Sequence, residues 1–498
     1  MPHTPLLSRL AGLSQRIALE NGAGFSRRAF LGAAAAGAAT LRAQAAANVV
    51  VVGAGLAGLT CAYRLKQAGI AAAVYDANTR AGGRCWTLRG AFDAGQIVER
   101  GGELIDQGHT EIRNLAQELG LPLDNLLAAE PNGTEPFYWF DGMPYSYDEA
   151  TRDLKAVWQK LHKDLSAASY PTTYYQSTER GRELDRMSII DWINESVPGG
   201  MASRLGQLLD VAYNIEYGEE SGVQSALNLL YLLGYSGQGQ LRIFGPSNEK
   251  YHVRGGNDQI AQGLAAALAG QIQYGHALTA VGRNMDGSYT LKFRSGSRNV
   301  RVEAGRVVLA LPFSILRSAV DLSGAEFRPL KMTAIREQGM GANAKLHLQF
   351  RTRHWAALGC NGDTYADTGY QNTWEVTRGQ GGTPGILVNY TGGDVARAAN
   401  KTSASEVLAR VEPALPGLTA QFNGQTQLEY WPGNPLTRGS YSYWKAGQYT
   451  QFVGVEGEME GACHFCGEHT SLDFQGYLNG AVETGERAAR EVQAALGK

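Results

Sequence analysis

Short apolar runs of strand length alternate with longer stretches of helical period along most of this chain. Val49 to Val52 is a run of β-branched residues, long enough for a buried parallel strand and too short for a helix. Leu56 to Ala68 then has helical period up to Gly69, and a second strand, Ala71 to Tyr75, ends in Asp76. Glu111 to Leu119, Asp148 to Ala168, Ser188 to Glu195 and Gly200 to Tyr213 predict a helical block. Arg254-Gly255-Gly256 opens a helix over Gln259 to Leu268, followed by strand-like Ile272 to Val281. Val300 to Pro312 reads as one strand, alternating at first and then continuously apolar. Lys345 to Phe350 and Gly385 to Tyr390 predict strands of another sheet, and Ala462 to Leu496 a short strand, a loop and a long final helix.

This order predicts an α/β chain of two interleaved domains. A nucleotide-binding Rossmann domain takes residues 47–105, 245–312 and 455–498. A mixed α+β substrate domain takes 106–244 and 313–454, with a helical part over about 145–235. Ligands of such sheets lie beyond the carboxyl ends of the strands, here in the cleft between the domains.

Gly53, Gly55 and Gly58 form G-x-G-x-x-G between the first strand and its helix. The first glycine permits the tight turn, the second admits a pyrophosphate, and the third lets helix and strand pack closely. Asp76, about 20 residues on, is placed to accept ribose hydroxyls and disfavours a 2′-phosphate. Arg80-Ala81-Gly82-Gly83-Arg84 then resembles the G-G-R turn of the glutathione-reductase-like flavoproteins, which implies FAD, with Arg80, Gly83 and Arg84 at its phosphates.

The 498 residues, formal charge of −2 and 44% hydrophobic content suit a sizeable core and give no sign of a nucleic-acid partner. Ser26-Arg27-Arg28-Ala29-Phe30-Leu31, the mild apolar run to Leu41 and Ala43-Gln44-Ala45 resemble a twin-arginine signal over residues 1–45, which implies export to the periplasm or medium. No later run approaches the length of a membrane span, so no membrane anchor is expected. Five scattered cysteines do not make a disulfide framework. Cys463-His464-Phe465-Cys466 has C-x-x-C spacing without a second pair, in a setting that suits a buried strand, so no metal is expected.

Phe465-Cys466-Gly467-Glu468-His469-Thr470 and the stretch Gly476 to Ala489 resemble the C-terminal signature of the flavin amine oxidases, which include monoamine, polyamine and L-amino acid oxidases. The resemblance covers nearly everything after residue 47. It implies flavin contacts from Gly467, Glu468, Tyr477 and Leu478, and adds Gly102, Glu103 and Leu278 to the cofactor's surroundings. Trp431, nine residues before Ser440, resembles a tryptophan beside the flavin. Ser440 stands where monoamine oxidases carry the cysteine linked to it, which implies non-covalent FAD. Tyr441 and Tyr477 are either ordinary core or, as the resemblance implies, the aromatic pair flanking the amine. Lys345 alternates with apolar residues and so is expected to face inward, where it resembles the lysine that holds a water against flavin N5.

The implied reaction is hydride transfer from the α-carbon to flavin N5, giving an imine that water hydrolyses, with oxygen taking the electrons to form hydrogen peroxide. The overall texture resembles bacterial L-amino acid oxidases, which makes oxidation of an L-amino acid to a 2-oxo acid, ammonia and hydrogen peroxide the expected activity. The arginine that usually clamps the substrate carboxylate is, however, replaced by Leu104. Arg254 or Arg438 are the candidate substitutes. Glu103 is either a structural acid or the partner of a cationic group. Primary-amine or polyamine oxidases and dehydrogenases are the alternatives within the family. A carotenoid-desaturase-like or isomerase flavoprotein is the alternative outside it, and that class lacks Trp431, Lys345 and the tyrosine pair. The candidate partners are a small-molecule amine or amino acid, oxygen and a second copy of the chain in a homodimer.

Overall fold

The computed structural model describes residues 49–498; the signal-like segment lies outside them. A five-stranded parallel sheet runs in the order Cys463–Phe465, Arg306–Leu309, Val49–Val52, Ala72–Tyr75, Ile272–Gln273. Val49, Val50 and Val51 have no exposed surface, as expected for a strand covered on both faces. The helix Leu56–Gln67 packs on this sheet and against the final helix, Leu478–Ala495. Gly58 and Gly485 permit the close packing: a Cβ at Gly58 would lie 1.9 Å from the Gly53 carbonyl oxygen, and one at Gly485 2.4 Å from that of Ala57.

A seven-stranded sheet is built from Phe422–Tyr430, Asn343–Phe350, Gly385–Gly392, Gln371–Glu375, Cys360–Ala366, Glu135–Phe140 and Met143–Tyr145. Against it lies a helical block that includes Tyr147–Ala168, Ile189–Ser196, Arg204–Tyr217 and Ala226–Leu233. Ser146 with Glu149, and Ser188 with Asp191, form capping boxes that fix where two of these helices begin.

Three predicted elements divide. Ile272 to Val281 is two strands: Ile272–Gln273 ends the parallel sheet, and Ala277–Arg283 enters a separate four-stranded sheet after a turn at Gly275, φ +69°. Val300 to Pro312 divides at Gly305. Arg298–Ala304 belongs to the four-stranded sheet and Arg306–Leu309 to the parallel one. The change from an alternating to a continuously apolar pattern marks that boundary, because one sheet has a wet face and the other is covered on both. The helix expected from Gly200 starts at Arg204 after a single 3₁₀ turn, since Ser203 caps it by accepting from the Gly206 N–H, and it runs on to Tyr217.

All five cysteines are buried and unpaired, and burial pushes their thiols up, so none is poised as a thiolate. Among the described residues, no helix is long and apolar enough to cross a membrane.

Candidate active site

A cavity of about 520 Å³ extends from the carboxyl ends of the parallel strands to the seven-stranded sheet. At one end it is walled mainly by backbone. Gly53 has φ +111°, and a Cβ there would collide with the Ala310 carbonyl oxygen at 2.6 Å. A Cβ on Gly55 would meet nothing within 4 Å, so the turn leaves open space above this glycine. Asp76 accepts from the Ala54 N–H at 2.5 Å and the Asn78 N–H at 2.6 Å, tying the second strand to the glycine turn. Burial raises its carboxyl despite those bonds and nearby Arg80. The Arg80 guanidinium lies 4.0 Å over the Trp86 ring and donates to the carbonyls of Ala81 and Gly83.

Arg84 braces two distant segments: it donates to the Ser440 carbonyl at 2.7 Å and to Glu468 Oε1 at 2.8 Å. Glu468 also accepts from the Ser442 hydroxyl and the Gly476 N–H. Burial alone would raise its carboxyl, but Arg84, His469 and these bonds hold it below the ordinary value. The final helix begins beside it at Leu478, with no side-chain cap from Tyr477, so its first N–H groups remain available to a ligand. Gly102, Leu278 and Gly467 complete this part of the wall.

The other end is walled by side chains. Lys345 is 5% exposed and faces inward, donating to Glu103 Oε2 at 2.7 Å and to the carbonyls of Gly101 at 2.9 Å and Glu99 at 3.3 Å. Glu103 also accepts from the Trp374 indole at 3.1 Å. The cationic group that Glu103 meets is therefore Lys345. Trp431 is buried and donates to the Arg100 carbonyl at 2.8 Å, while the Ser440 hydroxyl donates to Asn343. Tyr441 and Tyr390 share a hydroxyl hydrogen bond at 2.7 Å, and Tyr477 donates to Glu216 Oε1 at 3.1 Å. Glu249 and Asp363 also line this end. Glu249 has φ +48°, a conformation fixed by Asp106, whose Oδ1 accepts from the N–H groups of Asn248 and Glu249.

The model for flavin-containing amine oxidoreductases matches residues 56–493. The chain belongs to this family. A flavin-containing amine oxidase of Danio rerio is 26% identical over 472 residues, covering 91% of this chain and 86% of that protein. Nicotine dehydrogenase of Pseudomonas putida is 26% identical over 503 residues, covering 95% and 98%. A solved structure of putrescine oxidase with putrescine bound is similar in fold, with a TM-score of 0.77 at 22% identity, and the match covers 90% of this chain and 99% of that one.

FAD is the family's cofactor, and the residues present fit it. Besides the open space over Gly55 and the uncapped helix, Thr437 Oγ1 and both ring nitrogens of His469 line the same cavity, buried and without hydrogen-bond partners. Such orphaned groups call for a polar ligand. Gly53, Gly55, Asp76, Arg80, Gly83, Arg84, Gly102, Glu103, Leu278, Gly467, Glu468, Tyr477 and Leu478 all line the cavity, as do Lys345, Trp431 and Tyr441. Gly58 lies behind the turn, between helix and strand, as a packing glycine does.

Arg254 requires correction as a substrate residue. It pairs with Asp124 at 2.7 Å, its side chain is 66% exposed, and it does not line the cavity. The strand pairing of Tyr251–Val253 with Leu123–Asn125 carries it outward. Arg438 is also exposed and does not itself line the cavity. Sequence reasoning missed Tyr390, Trp374, Glu216, Glu249 and Asp363. The available signal was weak: Glu216 is an acid set between Ile215 and Tyr217 near the end of an otherwise apolar helix face.

Proposed function

We propose that the chain oxidises an amine without an α-carboxylate, a primary amine or polyamine, using non-covalently held FAD and oxygen. The observation that carries this reading is the charge of the substrate end. Of the basic side chains on the cavity wall, Arg80, Arg84 and His469 stand with the glycine turns and the Glu468 segment, His276 packs on Tyr75, and Lys345 is paired with Glu103. The remaining acids at the substrate end are Glu216, Glu249 and Asp363; burial raises all three carboxyls, and Asp363 is paired with Arg378 at 3.2 Å. An α-amino acid brings a carboxylate that would be desolvated here with no free cation among the described residues to pair with, since Lys345 and Arg378 are already paired. An ammonium group is what such a wall attracts.

Bound FAD supplies the acceptor for the two electrons and the hydrogen of the α-C–H bond. The protein's part is to hold the amine. Tyr390, Tyr441, Tyr477 and Trp374 line this end, where aromatic rings suit a cation and keep water away from it. Ser440 in place of a cysteine leaves no thiol there for a covalent flavin link.

The test is peroxide release measured across monoamines, diamines, polyamines and the L-amino acids. Activity on several amines with none on α-amino acids is expected. Turnover of an L-amino acid at a rate above that of its decarboxylated amine would restore the amino acid oxidase reading. Reduction of the flavin without peroxide release would instead indicate a dehydrogenase.

We also infer export by the twin-arginine route, on the strength of Arg27-Arg28, the apolar run and the Ala43-Gln44-Ala45 triplet. Replacing both arginines by lysine should leave the loaded enzyme inside the cell; unchanged export would reject the inference.

A further inference from the structure

We propose that Glu216 is the residue that takes the proton from the substrate's ammonium group; this rests on the amine-oxidation reading above. Substrate amines arrive protonated at neutral pH, and an ammonium nitrogen has no lone pair to assist loss of hydride from the adjacent carbon. A carboxylate inside the aromatic end of the cavity supplies the missing base. Glu216 is the candidate whose position is fixed from two sides. The helix Arg204–Tyr217 carries it into the wall, and the Tyr477 hydroxyl, on the residue just before the final helix, donates to its Oε1 at 3.1 Å. Its second oxygen has no hydrogen-bond donor among the described residues and opens on the cavity. Tyr390 and Tyr441, which share a hydrogen bond, lie close enough for the Glu216 charge to act on both.

The step is a simple transfer. The N–H bond of the ammonium breaks, an O–H bond forms on Glu216, and the electron pair stays on nitrogen as the lone pair of the neutral amine. No oxidation occurs until the α-C–H bond is broken.

The environment poises this carboxyl for the task. Remoteness from bulk water raises it, the Tyr477 hydrogen bond opposes that, and the Asp106 charge adds to the rise, leaving it at about 7. Its place in the last turn of a helix, near the negative end of the helix dipole, works in the same direction. Tyr213 and Tyr217 face it from its own helix, and Tyr365 and Glu249 from other elements. Tyrosines stay neutral through the physiological range, so Asp106 and Glu249 are the other ionisable groups to consider.

Anaerobic reduction of the bound flavin by a good amine substrate, followed from pH 5 to 10, tests the assignment. In the native enzyme the second-order rate should fall as pH drops below about 7, where Glu216 already holds a proton. In Glu216→Gln only free amine reacts. The rate at pH 7 should fall roughly a hundredfold, and the deficit should close as pH approaches the amine's own value near 10. A merely structural role would lower the rate by the same factor at every pH, and parallel profiles would overturn the proposal. Tyr477→Phe keeps the ring and removes the donor, so the acid limb should move to higher pH; a limb that stays put also overturns it. A native enzyme whose flavin no amine reduces would overturn the amine reading and this proposal together.

Discussion

The two ends of the cavity are built from different materials. The nucleotide end is mostly backbone: Gly53, Gly55, Gly83 and Gly467 bring main chain to the wall, and the final helix begins there without a side-chain cap. The substrate end is side chain from many segments, held by hydrogen bonds such as Lys345–Glu103–Trp374 and Tyr390–Tyr441. A backbone wall fitted to a bound ligand tolerates almost no added atom, whereas a side-chain wall can be changed one contact at a time. The first is suited to one invariant cofactor and the second to variable substrates.

The largest effect should come from Gly58→Ala, because the new Cβ would lie 1.9 Å from a backbone oxygen that cannot move away. A loss of about 4 kcal/mol or more is expected, seen as insoluble protein or a collapsed Tm. Next is Lys345→Met. It strands the Glu103 carboxylate in a buried site and should cost about 3–5 kcal/mol in denaturant unfolding. Adding Glu103→Gln should recover much of that loss. If the double variant is as unstable as the sum of the singles, the two groups are not coupled and the side-chain end is less interdependent than described.

Gly55→Ala separates cofactor binding from folding. Nothing in the protein opposes its Cβ. Unfolding of the FAD-free chain should therefore be unchanged, while FAD affinity drops about ten- to a hundredfold, or roughly 1.4–2.8 kcal/mol. An equal loss of apoprotein stability would show that the open space belongs to the fold rather than to the ligand. The smallest effect expected is that of Tyr441→Phe, which gives up the hydroxyl's hydrogen bonds to Tyr390 and to the Ile215 carbonyl for about 1–2 kcal/mol and leaves the ring in place. Substrate KM should change less than tenfold.

The same difference governs what the sequence reveals. The glycine turn, its helix and Asp76 lie within one short stretch, with Gly53 and Gly58 answering local steric demands and Gly55 leaving room for a ligand, so that end is legible without a structure. Gly305 shows a limit. It separates strands of two sheets, and a pattern read as continuous hides the change of partner. At the substrate end, Tyr441 and Tyr477 were found through a resemblance, while Tyr390, Trp374 and Glu216 sit in elements that look like ordinary strands and helices. Only strand register and helix packing bring them together. Arg254 fails for the converse reason: a charge beside a glycine pair looks like a ligand contact until the pairing of Tyr251–Val253 turns it toward Asp124.

The parallel sheet places Val49–Val52 and Cys463–Phe465 on opposite sides of one strand, and the final helix against Leu56–Gln67. During synthesis the first glycine turn therefore emerges long before the elements that complete its pocket. A ribosome-bound chain halted before Cys463 would lack an edge strand, Glu468 and the helix that faces the flavin. Capture of FAD becomes a late event of biosynthesis, and a premature stop between Gly58 and Cys463 leaves the glycine motif intact in sequence yet without a site to serve.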